Sequence, residues 1–304
     1  MEIIPGPKSW QIKRKNSSKL KIYFLLLIFV ISLFLIKHLS SRINFASLFK
    51  SSDNLKQVVD QAFEGNSGTY GVVIKNFRTN ESYQFNEHKV FETGSLYKLW
   101  IMAEVFRQLQ EGRLKEDEIL SSEVDRLNKE FNLSSDSAEL TDGEITLSVK
   151  DALNQMITIS HNYAALLLTE KLKLSSVAAY LKNIGLQETK VGTDGSAPIS
   201  TPFDIALFFE KLYKNQLADQ ETSQKMIELL KKQTLNNKLP KNLPQEVSIA
   251  HKTGELGYLT HDSGIVFTPK GDYIIVILSE SDFPPGAEDR IAQVSKAVYD
   301  YFTK

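Results

Sequence analysis

Cysteine is absent from the 304-residue chain. That excludes a disulfide framework, a thiol nucleophile, a thiolate zinc site and a cysteine-ligated iron–sulfur cluster. It leaves the compartment open, because a chain without thiols tolerates either redox state. Glycine (15) and proline (9) are too few for a collagen-like or low-complexity chain, and no internal repeat is present. Net positive charge is missing too. The total is -1, and residues 51–304 alone carry 27 basic against 36 acidic side chains. An acidic body is a poor start for gripping a phosphate backbone, so no nucleic-acid partner is expected.

The basic charge is concentrated in residues 1–50, with nine Lys/Arg and one acid. There a basic segment, 1–21, leads into an apolar run from Ile22 to Ile36. Fifteen helical residues reach about 22 Å, short of a roughly 30 Å hydrocarbon layer, but Lys21 and Lys37 can snorkel and Leu39 can extend the run. The expectation is a transmembrane signal-anchor over 22–39, a polar stalk over 40–54 and a catalytic domain over 55–304. Lys8, Lys13, Arg14, Lys15 and Lys19 place the N-terminus in the cytoplasm, giving a single-pass membrane protein with its domain outside the membrane. No A-x-A-like cleavage pattern follows; cleavage of the run would instead release a secreted form.

In the remaining chain, Thr69–Lys75 and Tyr83–Glu87 read as strands around a turn, and helical periodicity dominates from about 95 to 183, with loops near 112–118 and 132–146. Further helices fit 202–214 and 219–232. Strands return at Val247–His251, Ser263–Phe267 and Tyr273–Leu278, before a final amphipathic helix at Ala287–Phe302. This order predicts an α+β fold, in which strands near 69–87 and 247–278 join in one antiparallel sheet. Terminal helices pack on that sheet, and a helical lobe over approximately 95–232 is inserted.

Three segments carry the chemistry. In FETGSLYKLWIMAEVF, Ser95 opens an apolar helix where backbone donors face developing negative charge, and Lys98 follows one turn later on the same side. A buried lysine can be neutral and serve as a base. Isolated S-x-x-K is weak, because Ser18–Lys21 and Ser47–Lys50 match it as well; a capping serine and a snorkelling lysine explain it equally. In ITISHNYAALLL, Ser160 can pass a proton to a leaving amine and Asn162 can orient an amide, or both can simply cap a helix. A literal Ser52-Asp53-Asn54 precedes Ser95 in the stalk and is a decoy. In VSIAHKTGELG, Lys252 can bind a carboxylate, Thr253 adds a donor and Gly254 permits close approach, unless the triplet is only a solvated strand end. His251, with His261-Asp262, lacks a third spaced imidazole for a metal site.

Together the three segments resemble the serine penicillin-recognising superfamily, particularly its class A beta-lactamase-like branch, over residues 55–304. The resemblance implies a beta-lactamase/transpeptidase-like fold, with Ser95 as nucleophile and Lys98 and Ser160 as its proton carriers. Asn162, Lys252, Thr253 and Gly254 would bind substrate, and the Ser95 and Glu255 backbone N–H groups would form an oxyanion hole. No cofactor is implied, and a monomeric catalytic domain is expected. The implied activity is hydrolysis of a beta-lactam or related amide through acyl-Ser95. A penicillin-binding D,D-peptidase-like enzyme acting on cell-wall peptides, or a weakly active envelope-binding protein, are the alternatives.

Two departures matter. His161 stands where the class A pattern has Asp. The stretch Gly185–Phe209 is short and lacks the E-x-x-L-N glutamate that activates the deacylating water in the family. Asp194 is the first candidate to replace it and Glu188 the second, although Asp194 lies among glycines and a proline in a sequence typical of a surface turn.

Overall fold

The computed structural model describes residues 50–51, 53–65, 67–134 and 138–304. In chain order the elements are β1 (Lys50–Ser51), α1 (Asp53–Ala62), β2 (Thr69–Asn76), β3 (Glu81–Phe85) and β4 (Phe91–Glu92). A 3₁₀ turn (Gly94–Tyr97) runs into α2 (Lys98–Gln110), and β5 (Ile119–Glu123), α3 (Val124–Glu130) and β6 (Glu144–Ser148) follow. Next come α4 (Val149–Thr158), α5 (Asn162–Leu172), α6 (Leu174–Asn183), β7 (Ile199–Ser200), α7 (Pro202–Tyr213) and α8 (Gln220–Leu230). The chain closes with β8 (Ser248–Leu256), β9 (Leu259–Phe267), β10 (Tyr273–Glu280) and α9 (Pro284–Thr303).

Six strands form one sheet in the order β1-β3-β2-β10-β9-β8. All neighbours are antiparallel except the two-residue β1, which runs parallel to β3. The sheet is covered on both faces, so its central strands are almost continuously apolar and β-branched instead of alternating with polar residues. Side-chain direction still alternates. Val72, Ile74, Tyr273, Ile275 and Ile277 point to one core, filled by Leu55 and Val59 of α1 and by Ile291, Val294 and Val298 of α9. Val73, Ile274, Val276 and Leu278 point to the other core, shared with the helical lobe. A buried ion pair between Lys75 and Glu210, 2.8 Å apart, ties β2 to α7.

The expected α+β architecture, with its antiparallel sheet, flanking terminal helices and inserted lobe, is present. The membrane-spanning part of the expectation is corrected. Among the described residues no helix is long and apolar enough to cross a membrane. The longest, α9, carries Asp289, Arg290, Lys296 and Asp300 along its length. The apolar run at 22–39 itself lies outside the described residues. With no spanning helix found, the membrane partner and the single-pass placement with an extracytoplasmic domain are withdrawn. Inside the lobe, β5 and β6 pair from Ile119↔Ser148 to Glu123↔Glu144, where sequence periodicity suggests only loop and helix.

The two cores make a direct stability test. Ile277 is fully buried between β2 and β9, so Ile277→Ala should cost about 2–5 kcal/mol in urea unfolding. Ile119, which is 64% exposed, should lose no more than about 0.5 kcal/mol on the same change.

Candidate active site

The Ser95 turn is built against the edge strand. Gly94 takes a left-handed conformation (φ +47°), and a Cβ there would stand 2.9 Å from Glu255 N. A Cβ on Gly254 would lie 2.6 Å from Thr93 O. Only two glycines let the backbone of β8 approach the Ser95 turn so closely. From the other side, Thr93 N–H donates to Pro198 O at 2.9 Å, and β4 pairs with β7 through Phe91↔Ser200. His261 locks the same region: its Nδ1 accepts the Ser279 N–H, so its Nε2 donates to Glu92 O at 2.9 Å. Burial lowers His261 to about 4, which fixes it as the neutral ring.

Ser160 lies in the turn between α4 and α5 with φ 58°, a backbone conformation that costs energy for any residue except glycine. The end of α4 is clamped by Gln233 Nε2, which donates to Ile157 O at 2.8 Å, and by Thr234 N–H, which donates to Thr158 O at 2.9 Å. His161 is the N-cap of α5, its Nδ1 accepting the Ala164 N–H at 3.1 Å. An Asp oxygen would do the same job, so the departure at this position preserves the cap.

These segments meet at two lysines. Lys98 is fully buried, and its Nζ donates to Ser160 O (2.5 Å), Asn162 Oδ1 (2.6 Å) and Ser160 Oγ (3.1 Å). Lys252 is fully buried as well, and its Nζ donates to the same Ser160 Oγ at 2.9 Å and to Thr253 O at 2.9 Å. One hydroxyl therefore bridges the two lysine nitrogens. Burial, with the nearby Lys252 charge, lowers Lys98 to about 6 against an upward pull from Glu139. Burial lowers Lys252 to about 7, although the charges of Asp262 and Glu255 pull it up. Ser95 is half-buried one turn from Lys98, whose own backbone N–H bonds back to Ser95 O. The hydrogen bonds of the Lys98 ammonium run to the Ser160 turn instead of to Ser95.

Glu139 and Lys238 go unmarked by the sequence motifs. Glu139 accepts a hydrogen bond from Asn162 Nδ2. Tyr163 holds it there by bonding both the N–H (3.1 Å) and the C=O (2.8 Å) of Leu140. Lys238 is fully buried and pairs with the Glu255 carboxylate. Asp262, also fully buried, accepts from Leu239 N–H and Ser263 N–H and faces His251 Nδ1 at 2.9 Å. His251 and His261 are both occupied by these hydrogen bonds, and among the described residues no group of three His, Asp or Glu side chains is placed to hold a metal.

The two loop carboxylates lie elsewhere. Asp194 is exposed and accepts from Ser196 N–H (3.2 Å) and Ser196 Oγ (2.6 Å), which hold its pKa below the usual range. Glu188 binds His88 Nδ1 at 2.9 Å and accepts from Thr201 Oγ1 at 2.7 Å. Neither bonds to a member of the lysine cluster. The literal Asp53-Asn54 opens α1, which packs on the opposite face of the sheet.

Known proteins are similar to this chain in sequence and in fold. The chain is 24% identical over 275 residues to beta-lactamase VEB-1 of Pseudomonas aeruginosa, covering 83% of this chain and 91% of that one. Among solved structures, PBP-A superposes with a TM-score of 0.72 at 22% identity, over 84% of this chain and 97% of PBP-A. A beta-lactamase from Sphaerobacter thermophilus gives 0.71 at 22% identity, over 82% and 97%. The family model described as the beta-lactamase enzyme family matches residues 53–302. That span takes in the Ser95 turn, the Ser160 turn and the Lys252 strand together, and the chain belongs to the beta-lactamase enzyme family.

Proposed function

We propose that this cleft carries out serine acyl transfer on beta-lactams and related amides, with Ser95 as the nucleophile. The observation that carries the reading is the Ser160 hydroxyl shared by Lys98 and Lys252, at 3.1 and 2.9 Å, beside the turn that presents Ser95. In the first step the Ser95 proton passes to neutral Lys98, and the Ser95 Oγ–carbonyl carbon bond forms. The Ser95 and Glu255 N–H groups face the developing oxyanion. The carbonyl carbon–nitrogen bond then breaks, and the nitrogen leaves with a proton relayed from Lys98 through Ser160. Water next adds to the acyl carbon and releases the acid and Ser95. Asn162 orients the substrate amide, while Lys252 and Thr253 hold its polar end.

The second step has weaker support in the chain. Asp194 is engaged by its own turn and Glu188 by His88 and Thr201. That favours a second reading, a penicillin-binding D,D-peptidase-like enzyme that acts on cell-wall peptides and holds beta-lactams as long-lived adducts. A mutant of the structurally similar PBP-A is known as an acyl-enzyme complex with penicillin G.

Time-resolved mass spectrometry of the protein with a reporter beta-lactam separates the two readings. A persistent adduct on Ser95 with little product supports the peptidase-like enzyme, and many turnovers support the lactamase. Ser95→Ala should abolish the adduct; an adduct that survives this change sinks the assigned nucleophile.

The second-order acylation rate should be bell-shaped in pH. Lys98 must lose its proton, so the rate climbs as pH rises through about 6. Lys252 must keep its proton, so the rate falls as pH passes about 7. Lys252→Met should remove the alkaline limb while lowering the rate, and a profile flat from pH 5 to 9 in the unaltered protein would contradict the paired-lysine mechanism.

A further inference from the structure

An unbroken hydrogen-bonded row, Glu139–Asn162–Lys98–Ser160–Lys252, runs through the site. Its two ends differ in charge. At one end stands Lys252, and at the other the carboxylate of Glu139, which is exposed. Glu139 is held in place from two sides. Its carboxylate accepts from Asn162 Nδ2, and Asn162 cannot turn away because its Oδ1 accepts from Lys98 Nζ at 2.6 Å. The backbone of the next residue, Leu140, is anchored by Tyr163 Oη on its N–H at 3.1 Å and by Asn128 Nδ2 on its C=O at 2.8 Å. Other exposed carboxylates meet a cation, as Asp289 meets Lys241 and Glu111 meets Arg107. Among the described residues no lysine, arginine or histidine forms an ion pair with Glu139. Lys98, the lysine that feels its charge, is tilted toward the neutral amine by burial.

We propose that Glu139 selects acyl donors that carry an ammonium group on the acyl side, next to the amide that Asn162 orients. The substrate class is then a peptide or beta-lactam with a free amine at that end and a carboxylate at the Lys252 end, a charge pattern opposite to that of the row. A carboxylate with no cation of its own attracts such an amine at contact distance, and it can accept from the amine while still holding Asn162, because its two oxygens offer several lone pairs. A carboxylate on the acyl side would meet Glu139 as a like charge. Exposure keeps the preference moderate, since water screens the pair.

This inference rests on the acyl-transfer reading, and the test separates the two. Ampicillin and benzylpenicillin differ by one amino group on the acyl side chain, and at about pH 6.5 an α-amino group holds its proton. The full-length chain is reacted with each, and the rate of Ser95 adduct formation is measured by mass spectrometry. Glu139→Gln keeps an oxygen for Asn162 and removes the charge, so it should lower the ampicillin-to-benzylpenicillin rate ratio about fivefold. Any effect of the lost charge on Lys98 acts on both compounds and cancels in the ratio. Glu139→Asp keeps the charge and should hold the ratio within about twofold of the parent. In about 1 M salt the parent ratio should fall toward that of the Gln variant. A Gln variant that slows both compounds equally, or leaves the ratio unchanged, overturns the inference and leaves acyl transfer standing, because Glu139 would then act through Asn162 alone. If that variant gives no adduct, the salt series decides, and a parent ratio indifferent to salt overturns the inference. No adduct from either penicillin in the unaltered protein removes the acyl-transfer reading and this inference with it.

Discussion

The site depends on one constraint: two lysine side chains are kept out of water with their nitrogens within hydrogen-bond reach of a single serine hydroxyl. Neither lysine can find water acceptors for its N–H groups, so each must be satisfied by a group the fold positions for it. Lys98 takes a carbonyl and an amide oxygen from the α4–α5 turn, and Lys252 takes the Thr253 carbonyl from its own strand. Desolvation does the rest, tilting Lys98 toward its unprotonated amine. The arrangement weakens the fold. An unfolded lysine would hold its proton up to about pH 10, whereas folded Lys98 releases it near 6. The unfolded chain therefore binds more protons in that window, and the stability given up at Lys98 grows as pH falls through it.

That cost is carried by a scaffold with two separate apolar cores, one on each face of the sheet. The strained backbone of Ser160, the left-handed Gly94 and the buried Asp262 each need neighbours that cannot relax away. Those neighbours come from different parts of the chain: the Gln233–Thr234 segment, the tip of β8 and the backbone of Leu239. The cleft is less a pocket in one layer than a seam where the sheet edge and the helical lobe are sewn together.

Much of this was legible in the amino-acid order. The strands could be read because the sheet is covered on both faces and its central strands are runs of Val and Ile. Ser95, Lys98, Ser160, Asn162 and Lys252 could be read because each sits in a short segment whose spacing is itself the signal. Glu139 and Lys238 could not, because no local pattern marks them. They gain meaning from partners 23 and 17 residues away in sequence, Asn162 and Glu255. The β5–β6 hairpin hid for a related reason: its strands are only half-covered, so their alternation sank into the helical periodicity around them. The spanning helix expected from the apolar run has no counterpart among the described residues, where the longest helix is amphipathic.

The placement of β10 has a consequence for how the chain is made. It is the last strand in sequence, yet it lies inside the sheet, paired with β2 along one side and β9 along the other. During synthesis β2 emerges some 200 residues before that partner, and the sheet cannot close until nearly the whole polypeptide has left the ribosome. Until then the nascent chain carries Gly71-Val72-Val73-Ile74 with one edge unmatched, a segment suited to pairing with the wrong neighbour.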